Sequence, residues 1–344
     1  MRRSYTRRAL LAAAAAATVL AMPSALAQSP DPLIIRPEIH GVDPRYADYA
    51  TSGPYLHPST PITVRLQESD VVIFHPINVK EARLVVFSHG ALADPLTYRD
   101  LIWQWVSHGF VVAAPLHADA VIESGPTLRR TRAGAVSEWP ISSLLEDPAA
   151  WKRRIAACAG VLDELDMLEA ATGIKINAER AVVAGHGYGA YVAQLLLGAQ
   201  VVGGDGERLS FADGRFFAGL ALSPQGPGVM GLDDRSWSEI ASPILFMIPE
   251  NDLDFTGQPS SEKARSYRLA RPGYKHIGFL KKGSAHTFSG SQASAQEQKL
   301  FEVVRAMSTA FLRAYAGYEE FAFRDMTTDF FERMALGVVD EGRR

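Results

Sequence analysis

The stretch Arg180-Ala-Val-Val-Ala-Gly-His-Gly-Tyr-Gly-Ala190 decides how the rest of the chain is read. Ala181 to Ala184 is a short apolar run, suited to a strand buried on both faces. Tyr188 to Ala199 reads as a helix. Between them, Gly185-His186-Gly187-Tyr188-Gly189 has the outline of a nucleophile elbow, the sharp strand-to-helix turn written G-x-S-x-G. Glycines suit the flanks because backbone passes close to such a turn and a Cβ would collide with it. The centre calls for Ser, Cys or Asp, yet it holds Gly187, which has no side chain.

Strands and helices alternate on both sides of this turn. Ile62–Leu66 and Asp70–Phe74 read as an antiparallel hairpin. Arg83–Phe87, Phe110–Ala114, Phe217–Leu222, Pro243–Ile248 and Tyr274–Leu280 are further apolar strands; five parallel strands are expected after the hairpin. Tyr98–His108 carries apolar residues at helical spacing and stops at Gly109. Asp147-Pro148 opens a long helix as cap and first-turn proline, running to about Gly173, and Gln296–Tyr315 closes the series. Residues 28–61 read as an extended arm, 201–215 as a loop, and 317–344 as a C-terminal extension. Residues 118–148 interrupt the alternation as a lid-like insertion with Arg129, Arg130, Arg132 and Trp139. The arginines form a solvated face or an anion site; Trp139 lines a cleft or packs the insertion itself. The pattern predicts one α/β domain over 62–316: a mostly parallel central sheet with an antiparallel N-terminal hairpin and helices on both faces.

Residues 1–27 read as an export signal to be set aside from fold reasoning. Arg2, Arg3, Arg7 and Arg8 precede the apolar run Ala9–Ala21, and Ala25-Leu26-Ala27 is a small-x-small cleavage site. Thr6-Arg7-Arg8-Ala9-Leu10-Leu11 resembles a twin-arginine signal, so a periplasmic or secreted location is expected. The run is too short for a stable membrane span. Without the leader's four arginines the net charge moves from −3 to about −7, which argues against nucleic acid as a partner. The single cysteine, Cys158, excludes an intramolecular disulfide and reads as a small core residue. No H-E-x-x-H or His/Asp cluster is present, so neither metal nor cofactor is expected.

Open α/β sheets place their sites at the carboxyl ends of strands, where Gly90, Gly187, Asp252 and His286 are expected to converge. The order elbow, Asp252, His286 resembles the α/β-hydrolase triad. Phe87-Ser-His-Gly90 followed by Tyr98-Arg-Asp-Leu101, Ala221-Leu-Ser-Pro-Gln-Gly-Pro227 and Ala285-His-Thr-Phe-Ser-Gly290 together resemble bacterial predicted dienelactone hydrolases. Those are similar to platelet-activating-factor acetylhydrolases. The resemblance covers roughly residues 62–316 and implies hydrolysis of a small ester or acyl compound. It implies His286 as general base and Asp252 as its acid partner, with Asp254 as a rival. It also implies an oxyanion hole from backbone N–H groups of Ala91 or Leu92 and of Tyr188. His89, Gly90, Gly185, His186 and Gly189 are expected to shape turns.

Gly187 departs from that family's pattern at the attacking atom. Ser88, Ser223 and Ser284 sit at strand ends, but no elbow aims them at the oxyanion hole. Three functions remain open: an esterase with residual turnover, a pseudo-hydrolase that holds a ligand, or a scaffold using Phe321–Glu341 against a partner. The substrate and the oligomeric state have no readable code here.

Overall fold

The computed structural model describes residues 43–124, 129–131, 134–136, 145, 147–252, 256–290, 294–335 and 337–344. The leader, the arm up to residue 42, Arg132, Trp139 and Asp254 lie outside the described residues.

Helix α1 (Pro44–Ala50) is capped by Asp43, so the described part of the arm is not simply extended. The hairpin β1 (Ile62–Arg65) and β2 (Asp70–Phe74) follows, then β3 (Glu81–Ser88), α2 (Arg99–Ser107) and β4 (Phe110–Pro115). The insertion contains a small antiparallel sheet of β5 (Val121–Ser124), β6 (Arg129–Thr131) and β7 (Gly134–Val136). The long helix is two. Helix α3 (Pro148–Asp163), capped by Asp147, breaks at Glu164, and α4 (Leu165–Thr172) ends on Gly173 in left-handed conformation. Next come β8 (Lys175–His186) and α5 (Tyr188–Leu196). The expected loop after it holds a short hairpin, β9 (Gln200–Val202) and β10 (Arg208–Ser210). Strands β11 (Phe216–Leu222) and β12 (Ile244–Asn251) precede short helices α6 (Ser260–Lys263) and α7 (Arg265–Leu269). Last come β13 (Lys275–Ser284), α8 (Ala295–Tyr315), α9 (Glu320–Met326), α10 (Phe330–Met334) and β14 (Val339–Arg343).

Nine strands form the central sheet in the order β1-β2-β4-β3-β8-β11-β12-β13-β14. Six, not five, are mutually parallel, from β4 to β13; the hairpin at one edge and β14 at the other run antiparallel. The segment 317–344 is therefore part of the domain, because β14 completes the edge of the sheet.

Alternation along β3 shows how the sheet divides two cores. Val85 and Phe87 join a layer with Trp105 and Phe311, from α2 and α8. Leu84 and Val86 join the opposite layer with Trp151 and Tyr191, from α3 and α5. This period of two explains why the central strands are apolar throughout. Among the described residues, no helix is long and apolar enough to cross a membrane.

Candidate functional site

At the carboxyl end of β8 the chain turns through Gly187 into α5. Gly187 has φ +52° and ψ −112°, its N–H donates to Leu222 O at 2.9 Å, and its carbonyl accepts from Tyr191 N. The three glycines of the turn serve different needs. A Cβ on Gly185 would lie 2.2 Å from Gly189 O, and one on Gly189 would lie 1.8 Å from Ser88 O. Those two glycines allow strand, helix and the β3 end to touch backbone to backbone. A Cβ on Gly187 would meet nothing within 4 Å. Its glycine answers to torsion, not to space.

Gly187 lines a cavity of about 370 Å³ together with Gly90, Ala91, His186, Tyr188 and His286. Leu145, from the insertion, lines it too, as does Ser223. The structure thus brings the elbow, the β3 loop and His286 to one cleft.

The β3 loop is fixed by a buried network. Tyr98 Oη accepts from Gly90 N–H at 3.2 Å and shares a hydrogen bond with His186 Nδ1 at 2.8 Å. His89 Nδ1 donates to Gly90 O at 2.8 Å, and its Nε2 accepts from His117 N–H. Burial, then the nearby Arg154 charge, pushes His89 down to about 3, so the ring is neutral. Leu92, at φ +53°, donates its N–H to Asp119 Oδ2 at 3.1 Å. That amide is committed elsewhere, which removes Leu92 from the expected oxyanion donors. Ala91 N–H has no acceptor among the described residues, and Tyr188 stands at the start of α5, where N–H groups lack intrahelical partners.

Two charged residues without any motif hold this arrangement. Arg154 on α3 pairs with Asp119 at 2.6 Å, donates to His89 O at 2.6 Å and to Gly90 O at 3.2 Å, and stacks over Tyr188 at 4.4 Å. One guanidinium therefore ties the β3 loop to the residue after the elbow. Burial tends to raise the Asp119 carboxyl, but Arg154 and the Leu92 N–H outweigh it and hold it below the usual carboxylate range.

Asp252 and His286 follow neighbouring strand ends, since Asn251 of β12 pairs with Ser284 of β13. No hydrogen bond joins them. The Asp252 carboxylate accepts from Ser223 Oγ and pairs with Lys263 Nζ at 3.1 Å, with both charged side chains fully buried. The imidazole of His286 is exposed and has no hydrogen-bond partner among the described residues. Lys263, from α6, is a further residue the sequence did not mark.

The alternative nucleophiles are all engaged. Ser88 Oγ contacts His117 Nε2 at 2.9 Å, Ser223 donates to Asp252, and Ser284 forms a capping box with Thr287. Burial pushes the Cys158 thiol up to about 12, which makes it inert as a thiolate. Among the described residues, no group of three or more His, Cys, Asp or Glu is placed to hold a metal ion. In comparison with known proteins, the chain matches no family model and no curated relative.

Proposed function

We propose that this chain is an exported α/β-hydrolase of carboxylic-ester hydrolase type whose cleft binds an ester or acyl compound with little or no serine-type turnover. One observation carries the reading. Gly187 holds the torsions of a strained strand-to-helix elbow and faces the cavity beside His286, with no oxygen or sulfur to attack a carbonyl. The elbow's place at the carboxyl end of a middle parallel strand supports hydrolase ancestry. The apolar cleft, at about 370 Å³, has the size of a small-molecule site.

Magnitudes favour binding over turnover. Loss of the nucleophile in a serine hydrolase costs on the order of 10⁶ in turnover, leaving roughly 10³–10⁴ over water. Loss of the acid partner alone costs on the order of 10⁴, and here Asp252 is held by Lys263 and Ser223. Residual hydrolysis through water at the Gly187 position, activated by His286, is the second reading; it draws on the open space where a Cβ would stand.

The test is Gly187→Ser assayed on short p-nitrophenyl esters. With Asp252 engaged by Lys263 and Ser223 and not hydrogen-bonded to His286, the expected gain is roughly 10²-fold, the ratio of those two penalties. A gain approaching 10⁶ would mean the carboxylate reaches the imidazole once a serine is present. A folded but inert variant overturns the hydrolase-type reading. Rapid turnover by the unchanged chain overturns the binding reading, and its loss in His286→Ala would then assign the reaction to activated water.

A further inference from the structure

A second cavity, of about 340 Å³, lies at the other end of the sheet. Phe217, Pro243 and Tyr274 stand at the amino ends of β11, β12 and β13, whereas the elbow stands at the carboxyl end of β8. The walls are aromatic: Tyr274, Tyr315 and Phe323 pack with ring centroids 5.6–6.0 Å apart. Half-buried Arg180 lies among them, 4.2 Å from the Phe217 ring and 3.1 Å from the Tyr318 ring, donating to Tyr315 O at 3.0 Å.

Arg180 has no carboxylate partner among the described residues. Glu319 borders the cavity but is held by Arg313 at 2.6 Å, and Glu320 is exposed. Burial, and then the like charge of Arg83, lowers the guanidinium's affinity for its proton. A half-buried guanidinium held against aromatic rings, with no carboxylate partner among the described residues, is an arrangement that an anionic ligand would complete. Backbone strain gathers at the same place. Tyr274 and Tyr318 have φ of +54° and +61°, and more than half of each side chain is exposed. Bulky side chains rarely adopt such torsions, and where they persist they cluster at ligand clamps and switch regions.

We propose that this cavity binds a flat aromatic carboxylate, with Arg180 receiving the carboxylate and the Tyr and Phe walls receiving the ring. The size lies within the range for small-ligand sites, on the order of 300–1,000 Å³. The proposal rests on nothing at the elbow.

The test is calorimetric titration of 2-naphthoate into the full chain, with 2-naphthamide as the uncharged comparison. The expected result is binding of the acid, weakened about tenfold or more in the amide and in Arg180→Gln, as loss of a charged hydrogen bond requires. Tyr318→Ala, at an exposed position, should weaken it too, and thermal melting reports whether each variant is folded. Absence of naphthoate binding at millimolar concentration overturns the proposal, as does equal affinity for acid and amide. Binding left unchanged in both folded variants also overturns it, because the ligand then sits elsewhere.

Discussion

A serine at position 187 would have to adopt φ +52° and ψ −112°, a conformation that costs a non-glycine residue roughly 1–3 kcal/mol. Glycine relieves that strain and removes the attacking atom in the same step. Gly187→Ala should therefore lower unfolding free energy by about 1–3 kcal/mol, measured by denaturant titration, because space is open but the torsion is not. Gly189→Ala should abolish the native transition, since its Cβ would overlap Ser88 O. An equal, mild effect at both positions would contradict this division of roles. The residue-scale signal in the sequence was uneven for a physical reason. Glycine spacing is local, so the turn was legible. Arg154, Asp119 and Lys263 act through contacts between segments distant along the chain, and a lone charge on a helix carries no spacing to reveal them. The Leu92 amide was misassigned for the same reason: its acceptor, Asp119, lies beyond β4.

At the scale of elements, the strands were legible because burial on both faces leaves runs of apolar residues, as in Phe110–Pro115. The break at Glu164 was not. Apolar spacing continues from Val161 through Leu165 and Leu168, and only backbone torsions near φ −125° and ψ 40° interrupt it. Strand β14 was hidden in a different way: Val-Asp-Glu-Gly-Arg has little apolar content, as suits an edge strand. It pairs with β13 from His276–Arg343 to Leu280–Val339. Removing residues 338–344 should expose that edge of β13, the strand leading to His286, and promote association through it. Size-exclusion chromatography should show oligomers or aggregate for the truncated chain; an unchanged elution and melting profile would mean β14 is dispensable.

For the molecule as a whole, buried titratable groups set the response to acid. Burial pushes His89 and His276 from 6.5 down to about 3, and lowers His117 as well. Each stays neutral in the fold but takes a proton when unfolded, so its stabilising contribution falls as pH drops from about 6.5 toward 3. Glu341 runs the other way. Burial pushes it up to about 7 from 4.5, so its contribution is present below 4.5 and is lost as pH rises toward 7. Two histidines against one glutamate leave a net loss of about 1–2 kcal/mol per pH unit between pH 6.5 and 4.5, before His117 is added. Chemical denaturation across that range should show the slope, and a flat profile would refute neutral burial of the histidines.

The outer position of β14 has one more consequence, for the order in which the fold is assembled. Every parallel strand has been synthesised well before residue 343 leaves the ribosome, yet β13 keeps one unpaired side until then. The nascent chain therefore carries an open seam along β13 until residues 339–343 have been made and dock against it.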